Sequence, residues 1–384
     1  MQVFLSACGE GFGHSSRMAA ALTALRQAGH DGVIATYGKS RERLQRMGYS
    51  TFETLPEISM TGKGGKLDVV NSVIASSSTP KRILDAIRLE MRKMKEMHAR
   101  VVISDSRLST VIAARKLGLP VFYLANQTAF NEKLHIPKGI ADLEESAIGR
   151  LMAAPLIFPL LLADLVVIPD FTPPNTISLP LLSQKKKIEM KTTFIGPLTL
   201  ATIMPPTHAH WPAKKPRVLV TMGGQAFRKG EYEELRKILA HNHQSDFIVS
   251  SFFVEKDERI NSAQFRKFLP DLLPYIRSAE FLMMPAGHSA MMESMAIGKP
   301  SLLLPDAAQP EQLANARRYK ALGLGDYIEL KNLHKIGGKL SELVKNRKKY
   351  EERLAKLAKL AKGEMNGARN LVKLCEEYAT RTSY

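Results

Sequence analysis

Two turns in this 384-residue chain hold residues whose types and spacing could do chemistry. The first runs Gly9-Glu10-Gly11-Phe12-Gly13-His14-Ser15-Ser16-Arg17. Its alternating glycines permit a tight turn and close backbone approach, and a helix after them would aim free N–H groups at an anion. His14 has the pKa range to take a proton from a hydroxyl; the same position also suits a histidine that merely caps the helix. The turn is not a dinucleotide fingerprint, because its third glycine comes one residue early and no acid stands where a ribose partner belongs. The second constellation is Ala286-Gly287-His288-Ser289, then Glu293, then Gln309, Gln312 and Asn315. A glycine turn opening a helix makes an anion seat suited to a diphosphate. Glu293, six residues after Gly287, could accept from ribose hydroxyls, and Gln312 and Asn315, three apart, share a helix face. Any one of these is more often a cap or a surface residue; together, between two buried strands, they read as one site.

These turns need strands to hold them. QVFLSAC, DGVIATY, ARVVISD, LPVFYLAN and ADLVVIPD have the continuous apolar character of strands covered on both faces, and TTFIGPL follows as a last strand. A helix across Arg17 to Gln27 follows the first turn. The alternation predicts right-handed βαβ units and a parallel sheet. ATIMPPTHAHWPAKKP then breaks the pattern with four prolines and reads as a linker. RVLVTMGG restarts it as a strand entering the turn at Gly223 and Gly224. DFIVSSFF, AEFLMMP and KPSLLLP are further strands, and helical stretches close the chain. The expected fold class is α/β, with two Rossmann-like parallel-sheet domains facing across a cleft. Residues 1–198 form the N-terminal domain, 199–216 the linker and 217–364 the C-terminal domain, and a helix over about 365–384 returns to the N-terminal one. In such sheets ligands bind beyond the carboxyl ends of the strands, where both turns lie.

Composition narrows the classes. Two cysteines, Cys8 and Cys375, near opposite ends of the chain, offer neither a disulfide framework nor metal-ligand spacing and suit a reducing cytoplasm. The start of the chain has no basic stretch of the kind a signal peptide carries. The formal net charge is +18, and 14 Lys/Arg stand against 6 Asp/Glu from Lys331 to Tyr384. A second basic stretch runs from Lys81 to Arg100. Such an excess suits a solvated helix face, an anionic membrane or anionic substrates. Nucleic acid is the weaker partner, since interleaved aromatics and a recognition helix are missing. Leu151 to Ala163 is uncharged but holds two prolines and falls short of the roughly 20 residues of a bilayer span. It reads as a buried segment or a patch dipping into a membrane surface.

The stretch AGHSAMMESMAIGKPSLLLPDAAQPEQLANARRYKALGLG resembles the donor-binding signature of the GT-B glycosyltransferases. The nearest resemblance is to the family-28-like branch that holds the bacterial peptidoglycan N-acetylglucosaminyltransferase, the galactolipid synthases and archaeal homologues. GEGFGHSSRMAAAL with Gly29-His30 resembles that group's N-terminal glycine loop, and Thr221-Met222-Gly223-Gly224 resembles the loop opening its C-terminal domain. The resemblance implies a UDP-sugar donor, UDP-GlcNAc among the candidates, transfer of a hexose or N-acetylhexosamine to a hydroxyl, and no metal or other cofactor. It implies His14 as the base, with Asp105 orienting His14 or the acceptor, and Gly11, Gly13, Ser15 and Arg17 in the acceptor-side loop. Gly287, His288 and Ser289 would contact the diphosphate, Glu293 the ribose, and the backbone of Phe268 and Leu269 the base. Gln309, Gln312 and Asn315 would hold the sugar or diphosphate.

Phe12, Gln225, Ala290 and Glu311 depart from the pattern, at positions where glycine, serine, threonine and glutamine are usual. These departures bear on sugar and acceptor rather than on fold. The implied mechanism is a single inverting displacement, with the helix N-terminus at Gly287–Ser289 stabilising the leaving diphosphate and domain closure excluding water. The basic surface and the apolar stretch suit a lipid or lipid-phosphate acceptor at the inner membrane face. A nucleotide-sugar 2-epimerase of the same fold, which would need additional acid/base carboxylates for which Asp105 and Glu10 are the candidates, and a non-catalytic nucleotide-sugar-binding protein are the alternatives.

Overall fold

The computed structural model describes residues 1–57, 62–63, 66–67, 79–129, 157–183, 185–223, 228–269, 271–306 and 309–381. They fall into two compact units, one of residues 1–57, 79–200 and 365–381, the other chiefly of residues 201–364. The first contains β1 (Gln2–Ala7), α1 (Phe12–Gln27), β2 (Asp31–Thr36), α2 (Gly38–Arg46), β3 (Thr51–Glu53), α3 (Thr79–Glu96) and β4 (Ala99–Asp105). It continues through α4 (Leu108–Lys116), β5 (Val121–Leu124), β6 (Leu165–Ile168) and β7 (Thr192–Phe194). All seven strands are parallel, in the order β3-β2-β1-β4-β5-β6-β7.

The second unit runs β8 (Arg217–Thr221), α5 (Lys229–Ala240), β9 (Asp246–Ser251), β10 (Glu258–Ile260), β11 (Ala263–Lys267), α6 (Leu273–Ser278) and β12 (Phe281–Met284). Then come α7 (His288–Ile297), β13 (Ser301–Leu303), α8 (Pro310–Ala321), β14 (Gly325–Tyr327), α9 (Ile336–Lys345) and α10 (Arg347–Lys362). Its strand order is β10-β11-β9-β8-β12-β13-β14, parallel except for the edge strand β10. The last helix, α11 (Gly367–Arg381), belongs to the first unit.

Both sheets are wound outward from their first strand in two directions. The order therefore reverses between β1 and β4 in one unit and between β8 and β12 in the other. Strand ends separate at such a point and leave room for a ligand. The glycine turn follows β1 and Asp105 ends β4; Gly223 follows β8 and the Ala286–Ser289 turn follows β12. Each constellation singled out by chemistry thus lies at a switch point.

Burial on both faces explains the apolar runs. On one face of the first sheet Phe4, Val102 and Tyr123 pack with Ile87 and Met94 of α3 and Val111 of α4. The opposite face meets α1 and α11, and Tyr378 of α11 stands edge-on to Phe122 at 4.9 Å between ring centroids. The chain reaches α11 past Gly196, where φ is +89° and an added Cβ would sit 1.8 Å from the Met365 carbonyl oxygen. Only glycine fits that crossing. Cys8 and Cys375 are buried free thiols.

The proline-rich stretch is fastened to the second unit. Arg277 donates to the carbonyls of Ala201, Met204 and Pro205, Ser278 to that of Ala209, and Trp211 is buried. Its prolines prevent regular structure, so side-chain-to-carbonyl bonds hold it instead. No described helix is long and apolar enough to cross a membrane.

Candidate active site

Helix α1 begins at Phe12, five residues before the position expected from sequence. Gly11 makes the turn itself, with φ +84°, so Gly13, His14 and Ser15 already lie in the first helical turn. Ser15 Oγ donates to the Phe12 carbonyl at 3.1 Å. His14 and Arg17 are therefore three residues apart on one helix face and both meet Asp105 at the end of β4. Arg17 grips the carboxylate with two parallel bonds, Nε to Oδ2 at 2.8 Å and Nη2 to Oδ1 at 2.9 Å. His14 Nδ1 lies 2.8 Å from Oδ1. Asp105 and Arg17 are buried, whereas the His14 side chain keeps 25% of its surface exposed.

Charge decides which nitrogen carries the proton. Burial alone would raise the Asp105 pKa, but the charges of Arg17 and His14 and their hydrogen bonds hold it well below the usual carboxylate range. An ionised carboxylate only accepts, so Nδ1–H donates to Oδ1, and Nε2 is the ring nitrogen that Asp105 does not hold. Arg17 Nη2, 2.9 Å from Nδ1, then has Asp105 rather than the ring as its acceptor.

The turn bearing Asp105 is strained and clamped. Ser106 adopts φ +61°, a left-handed conformation that costs a residue with a Cβ of order 1 kcal/mol or more. Ser104 Oγ closes the turn on the Arg107 carbonyl at 2.7 Å. Arg107 is itself buried and ties three segments together. Its Nη2 donates to Glu90 Oε1 of α3 at 2.8 Å and to the Leu55 carbonyl at 3.1 Å. Glu57 accepts from the N–H groups of Leu108 and Ser109, capping α4 with a carboxylate. Burial would weaken the Arg107 charge, but Glu90 and Glu57 more than restore it.

In the second unit the N-terminus of α7 is capped by Gly287, and His288 is buried beneath it. Glu293 is partly buried and lines a cavity of about 70 Å³ with Thr221, Leu272, Ile276, Met284 and Ala290. Helix α8 faces the same turn. Asn315 Nδ2 donates to the Ala286 carbonyl at 3.2 Å, and its buried Oδ1 has no partner. Gln312 accepts from the Asp306 N–H and donates to Gln309 Oε1, and Gln309 in turn donates to Asp306 Oδ2. Phe268 stacks on Phe252 with centroids 3.8 Å apart. The Leu269 N–H donates to Ser250 Oγ at 3.1 Å. Gly223 has φ +73°, as a tight turn after β8 requires, while Gly224 and Gln225 lie outside the described residues. Among the described residues no group of three or more histidine, cysteine or carboxylate side chains could hold a metal ion.

Comparison with known proteins matches residues 1–346 to the model of glycosyl transferase family 1. The chain belongs to that family. A Methanosarcina mazei protein described as an uncharacterized glycosyltransferase is 28% identical, with 99% of each chain covered. The Clostridium tetani UDP-N-acetylglucosamine–N-acetylmuramyl-(pentapeptide) pyrophosphoryl-undecaprenol N-acetylglucosamine transferase is 28% identical over 123 residues, 31% of this chain and 33% of its own length. The fold is shared with the spinosyn rhamnosyltransferase SpnG complexed with thymidine diphosphate, at TM-score 0.66, 15% identity and coverage of 98% and 100%. This glycosyltransferase is thus an α/β protein with two parallel-sheet, Rossmann-like domains of GT-B type.

Within the first unit the structure unites His14, Asp105 and Arg17. Arg17, expected in the acceptor-side loop, is buried beside His14 and bonded to Asp105. Within the second, Asn315 meets the Ala286 carbonyl of the turn before α7, while Gln312 and Gln309 are joined to each other and to Asp306. Sequence reasoning missed Arg107, Glu57 and Glu90 of the clamp, and Asp306, to which Gln309 is bonded. It also missed the buried Arg228–Glu231 pair, where Arg228 Nε meets Glu231 Oε2 at 2.6 Å. Burial pushes the Glu231 carboxyl up against the pull of Arg228. The i, i+3 spacing of Arg228 and Glu231 was a usable signal. Nothing local marked the clamp, whose members come from three distant segments.

Proposed function

We propose that the transferase moves a hexosyl or N-acetylhexosaminyl unit from a pyrimidine nucleoside-diphosphate sugar, a UDP-sugar first, to a hydroxyl of a lipid-linked acceptor. The observation that carries this reading is the partly exposed His14 ring whose Nδ1 is held by a buried, ionised Asp105. Such a ring takes the acceptor proton on Nε2 as the hydroxyl oxygen attacks the anomeric carbon and the nucleoside diphosphate departs, which inverts that carbon. The two units divide the work. The second seats the diphosphate at the N-terminus of α7, where helix dipole and free N–H groups favour an anion. Glu293 accepts from the ribose, and Gln309, Gln312 and Asn315 face the sugar and diphosphate. The Phe268–Leu269 backbone meets the base beside the stacked Phe252–Phe268 pair, and thymidine diphosphate in SpnG supports a pyrimidine. A 2-epimerase is disfavoured, because both oxygens of Asp105 are engaged and its lowered pKa leaves it no proton to exchange.

A surface feature supports a lipid acceptor at an anionic membrane. Of the eight exposed large hydrophobic residues described, Phe158, Leu161, Leu162, Leu179 and Met190 fall within 33 residues of sequence. Phe158, Leu161 and Leu162 share one face of a helix over 157–162, beside an apolar hollow of about 110 Å³ lined by Ile157, Leu160, Leu161 and Ile188. Lys185, Lys186 and Lys187 are exposed beside it, and Lys191 Nζ reaches the Leu161 carbonyl at 2.7 Å. Each lysine near an anionic surface contributes about 1 kcal/mol, and each buried Phe or Leu about 1.5–3 kcal/mol.

The test uses vesicles of phosphatidylglycerol and phosphatidylcholine carrying polar lipid acceptors and radiolabelled UDP-sugars. Wild type is expected to sediment with anionic vesicles and move label into the organic phase. The Phe158→Asp/Leu161→Asp variant is expected to bind vesicles at least about tenfold more weakly, with its UDP affinity unchanged. Equal vesicle binding by both proteins would remove the patch from the account, and label confined to water-soluble products would remove the lipid acceptor.

A further inference from the structure

We propose that Arg17 is a positioning residue of the base assembly, occupying Asp105 so that the carboxylate orients His14 without drawing a second proton onto its ring. The geometry contains both halves of this role. The fork of Arg17 fixes both Asp105 oxygens, and the oxygen it shares with His14 Nδ1 is thereby aimed at the ring. The same guanidinium nitrogen stands 2.9 Å from Nδ1. A buried carboxylate paired with histidine alone would attract a proton to Nε2, because the imidazolium would be its only counter-charge. Here Asp105 already has a permanent one in Arg17, which cannot be deprotonated. An imidazolium would add a second positive charge beside it. Arg17 thereby disfavours a second proton on the ring.

Other charged and titratable groups surround this end of the sheet. They are Glu10 in the glycine loop, Arg43 of α2, which donates to Ser16, Cys8 at the end of β1, and Tyr123 of β5, which Asp105 and Ser106 both influence. These groups are present alike in wild type and in every Arg17 variant.

The inference rests on His14 being the base, but its test needs neither nucleotide nor acceptor, so its outcome is separate from detection of transfer. The full-length protein, labelled with ¹³C and ¹⁵N in histidine, is titrated by NMR. Wild-type His14 is expected to show the Nδ1–H tautomer. In Arg17→Met its protonation midpoint should rise by about one pH unit or more, a tenfold gain in proton affinity, as expected when a charge within about 4–6 Å is removed. Arg17→Lys, which keeps the charge, should stay within about 0.3 unit of wild type, at odds with a purely packing role. The acid limb of kcat/KM should move with the midpoint. An unchanged or lowered midpoint in Arg17→Met would overturn the proposal. So would an Nε2–H tautomer in wild type, a result available even if the methionine variant does not fold.

Discussion

Replacing Asp105 by asparagine is expected to lower the transfer rate by roughly 10⁴-fold, while nucleotide affinity stays within about twofold of wild type. An asparagine can donate to Nδ1, which would place the ring proton on Nε2 and remove the base. The folded state should suffer as well. Arg17 would remain buried without its counter-charge, and breaking a buried pair in this way costs about 3–5 kcal/mol. Because the Asp105 pKa is lowered in the folded protein, its stabilisation is present above the ordinary aspartate value of about 3.9 and is lost as pH falls through the folded-state value. The stability gap between wild type and Asp105→Asn, followed by denaturant titration, should therefore be full at pH 7 and shrink in strong acid. A variant that transfers within tenfold of the wild-type rate would show that His14 does not depend on Asp105.

Arg107→Met should rival it in stability while differing in where the damage falls. Methionine fills much of the same volume but leaves Glu57 and Glu90 buried without a cation, again a loss of about 3–5 kcal/mol. At about 2–4 °C per kcal/mol for units of this size, the melting temperature of the first unit should fall by roughly 6–20 °C. Relaxation of the Ser106 turn should also free Asp105 from its position, lowering the rate without altering nucleotide affinity. Calorimetric scans and binding titrations on one preparation separate these effects. A melting temperature within 2 °C of wild type would show that the clamp does not hold the turn.

Much of the architecture was legible because the long strands are covered on both faces and therefore read as continuous apolar runs. The strands that escaped notice are the exceptions. Thr51–Glu53 is three residues at a sheet edge, and Glu258–Ile260 and Ala263–Lys267 carry charged side chains outward. Gly325–Tyr327 opens with a glycine that close approach to Ser301 demands and so lacks an apolar signature. The motif proposed to hold the donor was legible because its parts are local: a glycine turn, a helix and a second helix within 30 residues. His14 and Arg17 stood out together in one turn, yet the role of Arg17 depends on Asp105, 88 residues away. No local pattern carries that pairing. The clamp was hidden more completely, since Arg107 and its glutamates look like ordinary surface charges until three segments converge.

Calorimetric titration with UDP, TDP and GDP, on wild type and on Glu293→Ala, tests the central claim most directly. The account predicts that UDP or TDP binds and GDP does not. Loss of the carboxylate–ribose bonds in Glu293→Ala should weaken binding at least about tenfold, the worth of a charged hydrogen bond of about 1.5–3 kcal/mol. Absence of nucleotide binding by protein shown to be folded, or equal affinity in Glu293→Ala, would contradict the placement of the donor at the α7 turn.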